Sequence, residues 1–151
     1  VLKEKGPSYI RMGRGKVDDV YNENTKFDFS KISILRQGKD IVLFATGLMV
    51  QEALKAAEEV DATVVNVCSI KPIDKEGILS MLSSHKKAYA LEEHNIIGGL
   101  FSAISEVKAQ SDITTPLYPI GVNDVFGQSG KASDVLDKYG LTSKHIVEKI
   151  R

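Results

Sequence analysis

From Lys39 onward the chain alternates short apolar runs with segments of helical periodicity, and this alternation confines it to one broad class of fold. Asp40-Ile-Val-Leu-Phe-Ala-Thr46 is the first run, β-branched and without polar alternation, the pattern of a strand covered on both faces. Gly47 follows, and Val50, Ala53, Leu54 and Ala57 then recur at the spacing of one helix face. Thr63 to Ser69 reads as a second strand. Asp74 is placed to cap a helix over Lys75 to Ser84, with Ile78, Leu79 and Leu82 as its apolar stripe. Lys87 to Leu91 predicts a third strand, and Gly98-Gly99 opens a helix through Leu100, Ala103, Ile104 and Val107. Leu117 to Val122 is the fourth, and Pro119, which has no N–H for a ladder, puts it towards an edge. Ser133 and Thr142 read as caps of two closing helices, separated by a stop at Gly140. Such spacing implies parallel strands joined by right-handed crossovers, with helices on both faces. The expected fold is a three-layer α/β/α sandwich around a mostly parallel sheet.

Residues 1–38 follow a different pattern. Gly6-Pro7 marks a turn, Ser8 to Met12 suits a short strand, and Gly13-Arg14-Gly15 breaks it. Asp18 to Lys26 is polar without apolar spacing, as in a linker or surface loop, and Ile32 to Leu35 suits an edge strand. This part reads as the end of something longer, ahead of a domain spanning 39–151.

The chain carries 20 basic and 20 acidic side chains in 151 residues. Neutrality argues against general nucleic-acid binding and against attraction to anionic membranes. Cys68 is the single cysteine and lies in an apolar run, so an inert, buried thiol is expected and no internal disulfide can form. His85, His94 and His145 match no metal-ligand spacing. With no apolar stretch of membrane-spanning length, the expected setting is cytoplasmic.

Few residues invite chemistry. Gly98-Gly99 ahead of a helix has the free N–H groups that hold phosphate, but it lacks the Gly-x-Gly-x-x-Gly or P-loop pattern. Close approach of helix and sheet is the plainer reading, and it applies equally to Ala45-Thr46-Gly47. Glu92-Glu93-His94 follows a strand's carboxyl end, where open α/β sheets bind ligands. A carboxylate beside an imidazole suits acid–base work, yet neighbours in extended chain point apart. Packing or interface is the role their types favour. Phe126-Gly127-Gln128-Ser129-Gly130 reads as a turn, Lys71 as a surface lysine at a strand end, and Arg11 and Arg14 as cations flanking a turn.

The order of these weak signals is more specific than any one of them. Gly6-Pro-Ser-Tyr-Ile-Arg-Met-Gly-Arg14 resembles the last strand of a transketolase pyrimidine-binding domain and its exit into a linker. Asp40 to Gly47 with the following helix, and Ser69-Ile-Lys-Pro-Ile-Asp74, resemble the opening of that family's C-terminal domain. Glu92-Glu-His-Asn-Ile-Ile-Gly-Gly-Leu100, Gly121 to Gly130 and Tyr139-Gly-Leu-Thr142 continue the likeness. The Glu-Glu-His triplet and the Phe-Gly-x-Ser-Gly loop are closer to transketolase than to deoxyxylulose-phosphate synthase, which tends to have asparagine at the position of His94. The whole is similar to the C-terminal half of a split transketolase.

This resemblance implies ketol transfer between sugar phosphates, with thiamine diphosphate and Mg2+ or Ca2+ held by domains upstream of this one. It assigns residues 1–38 to the end of the pyrimidine-binding domain plus linker, and 39–151 to the C-terminal domain. No catalytic, cofactor-binding or metal-binding residue follows from it. The role implied is to support the dimer, inactive alone, with the rest of the transketolase as partner and a homodimer expected. Arg14 resembles an arginine that contacts the substrate phosphate. Glu93, His94, Gly98, Gly99, Phe126, Gly127 and Ser129 stand as interface or loop candidates. Phe101 departs from the family, which often has glycine there, and speaks against an open anion site. Two other readings stay open: a small-molecule-binding regulatory domain, and the same domain of deoxyxylulose-phosphate synthase or a 2-oxoacid dehydrogenase β subunit.

Overall fold

The protein's computed structural model describes residues 5–13 and 17–151. Five strands form one sheet: β1 Ser33–Arg36, β2 Ile41–Ala45, β3 Thr63–Asn66, β4 Lys87–Asn95 and β5 Leu117–Val122, in the order β1-β3-β2-β4-β5. All neighbours are parallel except β1, which runs antiparallel to β3. The sheet thus takes in residues ahead of Lys39, and both strands expected at edges are edges.

β2 lies in the middle, and its alternate side chains feed two cores. Leu43 and Ala45 pack with α1 (Met49–Val60) and α5 (Ser143–Ile150) on one face. Val42 and Phe44 pack with α2 (Lys75–Ser84) and α3 (Leu100–Ala109) on the other. The three expected layers are therefore present, and burying each large side chain such as Phe44 contributes about 1.5–3 kcal/mol. The short α4 (Ala132–Lys138) adds Leu136 to the first core.

Asp74 caps α2 as its position implied, accepting the N–H of Gly77 at 3.1 Å, and its other oxygen accepts the N–H of Ile32 at 3.1 Å. Burial pushes this carboxyl up, but those N–H groups and Lys31 outweigh it and hold its pKa below the usual carboxylate value. One side chain therefore ties the entry of β1 to the start of α2. The hydroxyl of Thr63 likewise joins two elements, accepting from Gly38 N at 3.0 Å and bonding His85 Nε2 at 2.8 Å.

Three expectations are corrected. Residues 8–12 form no strand: no other strand lies beside them, and Tyr9, Ile10 and Met12 are exposed. Ser133 does not cap α4: Lys131 holds the cap position, and the serine hydroxyl donates to Asp134. Thr142 does stand at the α5 cap, but its hydroxyl bonds the ring of His145. Glu52 of α1 accepts the Ser143 N–H instead, at 2.7 Å, so a side chain from the packing partner caps the helix. Cys68 is half-buried rather than fully buried as expected, and burial raises its thiol pKa despite the hydroxyl of Tyr21 nearby.

Candidate functional site: the carboxyl edge of the sheet

The chain reverses direction across the sheet between β2 and β4: α1 leads outward to β3, while α2 returns past β2 on the opposite face. The carboxyl ends of strands at such a point are where open α/β sheets place ligands. Here Glu92 stands near the end of β4 with 1% of its surface exposed. Its Oε2 accepts the N–H of Leu100 at 2.7 Å, and its Oε1 accepts the N–H of Phe101 at 3.0 Å. An ionised carboxylate against the first turn of α3 meets free N–H groups and the positive end of the helix dipole.

Gly98-Gly99 thus serves the plainer reading, close approach of helix and sheet, and the anion at this helix start is the chain's own Glu92. Gly99 makes room for it, since a Cβ there would lie 1.9 Å from Glu92 Oε2. Gly98 supplies a left-handed turn at φ +81, and its N–H donates to Ser102 Oγ at 2.8 Å. Phe101 leans its partly buried ring on the second core.

Glu93 and His94 fall on opposite faces of β4 rather than joining as an acid–base pair. His94 is largely exposed, its Nδ1 donates to the carbonyl of Asn95 at 2.7 Å, and the same atom lies 3.8 Å from Glu92 Oε2. Glu93 instead lines a cleft of about 560 Å3 with Val122, Leu136, Tyr139, Gly127 and Ser129. Lys71 faces a separate cleft of about 350 Å3, beside Gly98, Gly99 and Glu106.

Two turns complete this edge. Asn95 Nδ2 donates to Asp124 Oδ1 at 2.7 Å, while Asn95 Oδ1 accepts the N–H of Ile97 at 2.9 Å. The Phe126–Gly130 loop is tied to α4 by Tyr139, whose hydroxyl donates to the Phe126 carbonyl at 3.0 Å, and by a bond from Lys138 to Gln128. Phe126 itself is 99% exposed.

The segment before β1 is fastened to the same edge. Gln51 Nε2 donates to the Asp18 carbonyl at 2.6 Å, and Asn66 Nδ2 donates to the Tyr21 hydroxyl at 2.7 Å. The rings of Tyr21, Phe27 and Phe29 pack in sequence, the first pair edge-on and the second tilted, with centroids 4.6 and 5.1 Å apart. Arg14 lies outside the described residues. Among the described residues no group of three or more His, Cys, Asp or Glu side chains is placed to hold a metal ion, and no helix is long and apolar enough to cross a membrane.

Glu92 is the buried residue of this edge that motif reading passed over. The signal for it was parity: Ala88, Ala90 and Glu92 share one face of β4, the face on which α3 begins.

Residues 30–146 match the family described as transketolase, C-terminal domain. A Methanocaldococcus jannaschii protein assigned as a transketolase C-terminal section is 40% identical over 157 residues, covering 99% of this chain and 49% of that protein. The 6-deoxy-6-sulfo-D-fructose transketolase subunit SqwH of a Clostridium species is 40% identical over 152 residues, covering 97% of this chain and 47% of that one. 1-Deoxy-D-xylulose-5-phosphate synthases match as well. Among solved structures, a split-gene transketolase in an inactive β4 tetramer superposes with a TM-score of 0.84 at 36% identity, over 91% of this chain and 46% of that one. The chain thus spans about half the length of these three relatives. On the match over residues 30–146 and the fold it accompanies, this chain belongs to the transketolase family, whose C-terminal domain it contains.

Proposed function

We propose that this chain is the C-terminal, assembly-supporting part of a transketolase of the split kind, and that it provides no catalytic group. The observation that carries this reading is Glu92 at the start of α3. The helix N-terminus at Gly98-Gly99 is satisfied internally, because Glu92 accepts the N–H groups of Leu100 and Phe101. A group that fills its own anion site stiffens a scaffold and does not receive a diphosphate. Thiamine diphosphate with Mg2+ or Ca2+ belongs, in this reading, to the upstream domains, and the residues described here do not fit it.

Residues 1–38 then hold the end of the pyrimidine-binding domain and a linker whose last part supplies β1, Arg14 reaches the substrate phosphate from there, and the working unit is a cytoplasmic homodimer of the complete assembly. Because the sugars bind upstream, one C-terminal domain can serve transketolases of different substrates, in keeping with the names its relatives carry. Calorimetric titration of thiamine diphosphate with Mg2+ into this chain is expected to show no saturable heat. Stoichiometric binding would place a cofactor site in the chain and overturn the reading.

A further inference from the structure

We propose that Ile97, Val125 and Phe126 form a preformed docking knob, and that its occupant is the domain preceding the residue 18–31 linker in the intact subunit. This rests on the proposed role as the C-terminal part of a longer transketolase chain. The three side chains are 64%, 56% and 99% exposed, and they project from two adjoining turns at the carboxyl edge. Exposed apolar side chains scattered singly are ordinary, but three on two turns joined by the Asn95–Asp124 bond offer a contact surface.

The turns that carry the knob are held firmly. Besides the bonds of Asn95 to Asp124 and Ile97, the N–H groups of Ile96 and Asp124 each donate to the Val122 carbonyl at 3.0 Å. Asp124 has φ +46, a left-handed conformation that a non-glycine residue keeps only where its surroundings enforce it. Tyr139 fixes the backbone at Phe126 from the other side. A knob ordered in advance loses little freedom on binding, and aromatic side chains, Phe among them, are enriched at interfaces.

The direction of the chain selects the occupant. Gln51 and Asn66 clamp residues 18–21 at the carboxyl edge, so the polypeptide upstream is tethered on the side where the knob projects. Tyr9, Ile10 and Met12 stand 88%, 61% and 85% exposed against this domain, as befits side chains that complete another core. The relatives at 40% identity are about twice as long as this chain, which supplies a domain of the required size. Tethering raises the local concentration of that domain over the knob, so even a small patch engages it.

Hydrogen exchange on the intact subunit tests this. Amides of residues 124–128 are expected to exchange at least tenfold slower in the wild type than in the variant Phe126→Asp, while amides of β2 and β4 stay equally protected in both. Phe126→Leu, which keeps an apolar anchor, retains most of the slowing. Wild-type amides at 124–128 that exchange as in an unstructured peptide would overturn the proposal. Protection that grows with subunit concentration would also overturn it, by naming a second copy as the occupant. Because exchange is read without catalysis, slowed amides in a subunit that turns over no sugar phosphate would support the docking surface and count only against the activity.

Discussion

Replacing Glu92 with alanine is expected to cost the domain about 3–5 kcal/mol, against a total stability that for a domain of this size is about 5–15 kcal/mol. The carboxylate accepts two backbone N–H groups, at 2.7 and 3.0 Å, and each hydrogen bond to a charged group is worth about 1.5–3 kcal/mol. Alanine removes both acceptors, leaves the N–H groups of Leu100 and Phe101 without partners, and opens a cavity between β4 and α3. It also removes the negative charge that meets the helix dipole. Glu92→Gln keeps the shape and one good acceptor, so its cost should be about half. Urea unfolding followed by circular dichroism measures both. A loss below about 1 kcal/mol for Glu92→Ala would show that the buried carboxylate holds nothing together.

The second large effect belongs to Gly99, where Gly99→Ala is expected to cost about 3 kcal/mol by steric conflict alone. Its φ of −106 lies outside the left-handed region, so the cost is argued from contacts. The added Cβ would lie 1.9 Å from Glu92 Oε2, 2.8 Å from its Cδ and 3.1 Å from His94 Nδ1. Glu92 is buried and bonded at both oxygens, so it cannot swing aside without losing those bonds. The cost must therefore depend on Glu92. In a Glu92→Ala background the same substitution should be nearly free, giving a coupling of about 3 kcal/mol in a double-mutant cycle. Equal costs in both backgrounds would mean that Gly99 serves some other contact. Gly98 makes a useful contrast, since it faces open space and is constrained by its φ of +81 instead.

Much of this architecture was legible because it depends on local rules. The run from Ile41 to Ala45 declared a central strand through its lack of polar alternation, and the structure buries both of its faces. Asp74 announced its cap, and Pro119 its edge position, through single-residue chemistry. What could not be read depended on partners distant in sequence. Ser133 looks like a cap in isolation, while the actual cap of α5 comes from Glu52, 91 residues away from Ser143. The Ser8 to Met12 segment has strand-forming residues but no strand beside it.

The candidate site shows the same division. Two glycines before a helix say that something approaches closely, but not whether it is a ligand or a side chain of the same fold. Glu92 was hidden inside a triplet whose exposed members, Glu93 and His94, drew the chemical interest. Only the alternation of β4 aims Glu92 at α3 and Glu93 towards the cleft below the Phe126–Gly130 loop.

The central claim is that this chain supports a transketolase without performing the reaction. It is tested most directly by a coupled assay with ribose 5-phosphate, xylulose 5-phosphate, thiamine diphosphate and Mg2+, run on the chain alone and again with polypeptides that supply the upstream domains. No turnover from the chain alone and turnover on complementation is the predicted result. Turnover by the isolated chain, or none after complementation by correctly folded partners, would contradict the account.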